Sequence, residues 1–226
     1  RRVFIGDNLY CLGACYSSHI DYHKENLRHF IALGDDIMSC SIYLRGTQMK
    51  EVMRRELVSA GDCWYRIHEK ADFILDGTDT VVLHVRDAVT NREKLIPVTV
   101  EGLPERADKT IGLSLSISFE DAKICNVTIA DEGFGGLFPA TKKIWRRRLN
   151  IAEYESDPKY KAQGRLIFQR KLPERTPYYF NLSDTRIYSL EEMCYYLYEN
   201  IYTVTADTFN DEFIYWVEKS MKEPAA

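Results

Sequence analysis

Residues 111–131 read IGLSLSISFEDAKICNVTIAD, and their pattern decides the fold class. Leu113, Leu115, Ile117 and Phe119 alternate with Ser114, Ser116 and Ser118. A period of two places apolar groups on one face of an extended chain and hydroxyls on the other. A helix would smear both types around its surface. Residues 120–123 supply a polar turn, and Cys125, Val127 and Ile129 then form the next inward row.

Working outward, the same period recurs upstream. Met38, Cys40, Ile42 and Leu44 share one face from residue 37 on, and Gly46 offers a turn. Residues 51–58 (EVMRRELV) fit helix or strand by period alone. Asp76 and Gly77 signal a turn before residues 80–85, which are rich in β-branched side chains. Thr90, Asn91 and Arg92 mark another turn before residues 95–100. Short strands at such spacing predict an antiparallel β-sandwich over residues 31–150.

The flanks differ in style. Residues 6–18 (GDNLYCLGACYSS) predict a short helix that Asp7 caps, within an N-terminal piece spanning 1–30. The Gly-rich run 133–139 (GFGGLFP) is expected to be a loop closing the sandwich, since a phosphate cradle would need a helix start after it. Residues 151–163 form a polar linker, and 164–226 a small Tyr-rich α+β module. In that module residues 165–168 are a short strand candidate. Ser189 and Glu192 compose a capping box for a helix over 190–200. A second helix is expected over 209–221, with Phe209, Phe213, Trp216 and Val217 on one face. The fold class is therefore mainly β with α.

Composition narrows the function. A net charge of −4 over 226 residues argues against nucleic-acid binding, which needs a basic surface. The basic cluster Lys142, Lys143, Arg146, Arg147 and Arg148 reads as a solvated face, or else as a docking patch for an acidic partner. No apolar run reaches the roughly 18–20 residues of a membrane span, so no membrane partner is expected. The six scattered cysteines, without a CxxC pair, predict reduced thiols in the cytoplasm.

Catalytic and metal chemistry find no footing. Cys11, Cys15, His19 and His23 recur every four residues, but a straight helix carries twelve residues along about 18 Å and cannot bring all four to one ion. No nucleophile elbow or Walker-type loop occurs, and the paired carboxylates Asp35–Asp36 and Glu191–Glu192 are sequence neighbours whose side chains need not meet. Neither an enzyme nor a metal protein is expected.

The order of segments adds a resemblance. Residues 6–15 (GDNLYCLGAC) resemble the last helix of a DnaK-type ATPase domain at Asp7, Gly13 and Ala14, with Gly6 where that family usually has Pro. Residues 31–46 (IALGDDIMSCSIYLRG) resemble the linker and first strand that follow it. The best match is residues 100–131, where Gly102-Leu103-Pro104, then 113–119, then 125–131 are similar to the family's substrate-binding β-sandwich. The resemblance implies a fragment running from the end of an ATPase-like domain through that sandwich, in a DnaK-like bacterial protein. ATP would then be a cofactor of a fuller protein only, because these residues hold no phosphate-binding loop. The family's long helical lid is replaced here by the Tyr-rich module.

Two functions follow from the resemblance. The first is a non-enzymatic module that holds an extended peptide or protein segment between two loops, at Arg45, Gly46, Thr47, Gln48, Leu75 and Val82. The second is a scaffold that couples an ATPase-like domain to a protein-docking C-terminal module. A filled groove with an exposed C-terminal aromatic patch would favour the second.

Overall fold

A computed structural model describes residues 34–154, 165–169, 176–180, 183–204 and 209–222, together with Cys11 and Cys15. The N-terminal helix, with Asp7 and Gly13, and most of the linker lie outside the described residues.

The chain is mainly β. Eight strands follow one another: β1 (Cys40–Gln48), β2 (Glu51–Val58), β3 (Glu69–Leu75), β4 (Thr80–Asp87), β5 (Glu93–Thr99), β6 (Ile111–Phe119), β7 (Ile124–Asp131) and β8 (Ile144–Asn150). The short β9 (Leu166–Ile167) comes next, then a hairpin of β10 (Tyr178–Phe180) and β11 (Thr185–Ile187). Helices α1 (Leu190–Glu199) and α2 (Asp211–Lys222) close the order.

The sandwich pattern takes the form of a single nine-stranded, nearly closed sheet, ordered β5-β4-β1-β9-β3-β6-β7-β8, with β2 on the other edge of β1. Two antiparallel halves, β2-β1-β4-β5 and β3-β6-β7-β8, are joined through β9. Local periodicity could not foresee that join, because β9 meets β1 across a separation of 119 residues. Its pairing with β1 is parallel, whereas every neighbouring ladder is antiparallel.

The inward rows pack as their alternation requires. Leu113, Leu115 and Ile117 of β6 and Cys125, Val127 and Ile129 of β7 are buried, together with Ile42 and Leu44 of β1 and Phe73 and Leu75 of β3. The ambiguous residues 51–58 form a strand, because Ile42 to Gln48 offer them an edge to pair with. Gly46 is no turn. It lies inside β1, and the chain reverses at Met49 and Lys50, both with positive φ (49° and 71°). A two-residue hairpin turn of type I′ demands that conformation at both positions.

Arg146, Arg147 and Arg148 of the basic cluster fall in β8, an edge strand at the end of the sheet, while Lys142 and Lys143 precede it. Arg146, Arg147 and Arg148 are exposed, Arg147 faces Glu101, and Arg148 pairs with Glu120. Charge on an outer strand discourages edge-to-edge association. Beside it, Arg106 grips Asp131 with two bonds of 2.9 Å, and the two side chains are 5% and 0% exposed. Asp131 also accepts from the backbone and hydroxyl of Thr141 and from the Gly133 amide. Burial alone would raise this carboxyl, but those donors bring it down to about 2.

The C-terminal residues build a second cluster around Tyr178, Ile187, Met193, Tyr196 and Trp216. Ser189 caps α1 by accepting from the Glu192 amide. Glu192 reaches one residue further back than a standard box, to the Tyr188 amide at 2.9 Å. In α2, Trp216 is buried and Phe213 and Val217 half-buried, while Phe209 precedes the helix and is exposed. The 133–139 run is a loop, as its composition predicts, with Phe134 buried at 1% exposure. It docks the module: Phe134 stacks edge-on against Tyr195, and Gly135, at φ 54°, leaves room for the Glu192 carboxylate.

Candidate functional site

Two strand edges face each other across a groove. β4 pairs with β1 only from Cys40 to Tyr43, which leaves that edge open from Leu44 onward. β3 pairs with β6 along its whole length, and on its other edge the only ladder among the described residues is at Ile74 and Leu75. Unpaired backbone groups at such edges require partners, and an extended segment supplies them.

The chain's own residues 165–168 lie there. Ile167 is in register with Thr47 of β1 on one side and with Ile74 of β3 on the other, and Leu166 is in register with Leu75. The Phe168 amide donates to the Thr47 carbonyl at 2.8 Å, and the Asp76 amide donates to the Arg165 carbonyl at 3.0 Å. The Thr47 hydroxyl adds a bond of 3.4 Å to the Leu166 carbonyl. Leu166 and Phe168 are buried in the main core. Each contributes roughly 1.5–3 kcal/mol by that burial.

Gly46 makes the groove deep enough. A Cβ at this position would lie 2.6 Å from Cε2 of Phe168 and 2.7 Å from the Leu166 carbonyl oxygen. Gln48 lies two residues on, on the same face of β1 by strand alternation. It is 4% exposed, and among the described residues its Nε2 finds no hydrogen-bond partner. A buried amide donor left alone costs on the order of 1–3 kcal/mol.

Above the outer side of β9 lies a cavity of about 1090 Å³. Ile74, Ile167 and Met49 line it from the sheet, and Leu190, Tyr195 and Tyr198 line it from α1. Lys50, Lys109, Glu191 and Glu199 also line it.

Of the residues read from the sequence, Gly46, Thr47 and Leu75 meet at this groove, and Gln48 stands at its end. Arg45 is exposed on the opposite face of β1. Val82 is buried on β4, opposite Pro97 of β5, and does not belong to the cluster that buries Leu166 and Phe168. Sequence reasoning missed Ile74, Met49 and the occupant itself. The strand signal at 165–168 was visible, but nothing local says which edges receive it.

A second polar group lies on the outer face of β1, β4 and β5. His84 stacks on Tyr43 at 5.0 Å and bonds Glu93 at 2.7 Å, the Tyr43 hydroxyl also donates to Glu93, and Arg54 sits 3.7 Å over the Tyr43 ring. Burial lowers the His84 imidazole despite Glu93. These side chains satisfy one another, and they do not line the groove or the cavity above β9.

Comparison with known families places the groove in context. A domain-family match spans residues 38–151. The chain belongs to the DUF8552 family, a domain of unknown function. The DUF8552 match contains β1 to β8 and therefore both edges of the groove, while β9 and α1 lie beyond its end. No curated protein is significantly similar to the chain. Among the described residues, no set of three or more His, Cys, Asp or Glu is arranged to hold a metal ion, and no helix is long and apolar enough to cross a membrane.

Proposed function

We propose that the DUF8552 β-domain of this chain is a non-enzymatic binding module that receives an extended apolar segment between β1 and β3. The observation that carries this reading is β9 itself: the groove already holds a short strand by backbone bonds on both sides. Adding a strand to open edges gives affinity through the main chain, and pockets for alternate side chains give selectivity. The resemblance of residues 100–131 to the substrate-binding sandwich of DnaK-type chaperones supports the same reading.

A second reading, an assembly scaffold, has its own support. The groove is filled, and Tyr198, Ile201, Tyr202 and Tyr215 of the C-terminal module are exposed, Tyr202 almost completely at 99%. Exposed large apolar side chains of this kind would suit docking to another protein where they adjoin.

An array of extended peptides probed with the full chain separates the two. Binding to apolar peptides that is lost in a folded Gly46→Val variant and competed by excess unlabelled QGRLIFQR supports the groove. A folded chain that captures no peptide even when Leu166→Ser and Phe168→Ser loosen its own 165–168 segment rules the groove out in favour of the scaffold.

A further inference from the structure

Resting on the groove reading above, we infer that residues 165–168 are a resident ligand tethered to the groove they fill, and that an external segment binds by displacing them. The substrate class is then an extended stretch with large apolar side chains two residues apart and a third apolar one between, after Leu166, Ile167 and Phe168.

Four features of the occupant fit an exchangeable guest better than a fixed strand. Its ladder is only two residues long, and it joins β1 at a single register pair. Both walls of the groove fall inside the DUF8552 match, and the occupant does not. The cavity of about 1090 Å³ leaves the outer side of Ile167 uncovered, which gives a path for an incoming strand. Among the described residues Gln48 Nε2 finds no hydrogen-bond partner at the end of the groove, so residues 165–168 leave that donor unused. A guest that offers a carbonyl there gains a bond that the resident lacks.

Tethering sets the terms of exchange. A linked segment competes at an effective concentration on the order of millimolar, so outside segments bind weakly until the resident is released. The groove is thereby guarded against casual apolar contacts, and partners are selected for pairing better than the resident does.

The test measures anisotropy of a fluorescein-labelled peptide, QGRLIFQR (residues 163–170), with three forms of the full chain. The first is the unaltered protein. The second carries Thr47→Cys and Ile167→Cys, register partners whose disulfide locks the resident in place, with the cavity-lining Cys194 changed to Ser. The third carries Leu166→Ser and Phe168→Ser, which loosen the resident. The expected result is no binding to the locked form, recovery on reduction, and affinity at least tenfold tighter for the loosened form. Should the loosened form not fold, the locked form with and without reductant decides alone. Equal binding by locked and reduced protein overturns the inference and leaves peptide binding at another place. Absence of binding by every form, each folded by circular dichroism, overturns the groove reading as well.

Discussion

The ring of Phe168 occupies the space that a side chain on Gly46 would need, with Cε2 only 2.6 Å from where a Cβ would stand. The two residues lie 122 positions apart, one in the first strand of the sheet and the other just after the last strand to join it. Glycine at 46 is thus explained by tertiary contact alone, since it sits mid-strand where glycine has no conformational advantage.

Gly46→Ala should push the 165–168 segment off β1. We expect a loss of about 1–3 kcal/mol, typical of overpacking, and faster hydrogen exchange at the Phe168 amide. Adding Phe168→Ala should cost much less in the Gly46→Ala background than alone. Urea melts of the four proteins of this cycle give the coupling, and strict additivity would refute the contact.

The Arg106–Asp131 pair makes stability depend on acid. Asp131 has a carboxyl brought to about 2 from an ordinary 3.8, so the folded state holds its proton less tightly than the unfolded state does. Its stabilisation, about 2 kcal/mol, is complete above pH 4 and disappears as pH falls through about 2. Arg106→Met leaves the carboxylate buried without its cation, and should cost roughly 3–5 kcal/mol. Carbon-detected titration of Asp131 should then show its pKa rising.

Removing the cap of α1 should loosen the helix against the sheet. Ser189→Ala deletes the acceptor for the Glu192 amide and is expected to cost about 1 kcal/mol. Gly135→Ala should do more, because its methyl would overlap the Glu192 carboxylate that bonds Tyr188. Exchange rates across residues 190–199 measure both effects, and unchanged rates in Gly135→Ala would contradict the described docking.

Thiol reactivity should divide by burial. The Cys40 thiol is pushed up to about 11, first by burial and then by Asp87, and burial takes Cys125 to about 12. Both should resist maleimide until the chain unfolds, while the exposed Cys11, Cys15 and Cys194 react in the native state. Mass spectrometry after brief labelling distinguishes the sets.

Much of the β-domain could be read along the chain. The Leu and Ser alternation of 113–118 is a local property of one strand, and the hairpin to 124–131 needs only a four-residue turn. The cap at Ser189 is equally local, which is why its helix begins where the residues foretold. At the groove, however, only Gly46, Thr47, Gln48 and Leu75 could be named beforehand, through the resemblance, while Val82 lies on β4 opposite Pro97.

What the sequence by itself determined is therefore strands β1, β4, β5, β6 and β7 and the cap at Ser189, since each depends on residues within a few positions of one another. Only the tertiary structure decided that β9 bridges β1 and β3, that Gly46 is strand rather than turn, and that the Gly-rich loop docks a helix. Those choices are made by pairings across more than a hundred residues or by the fit of one side chain into another's space, and no period within the chain encodes either.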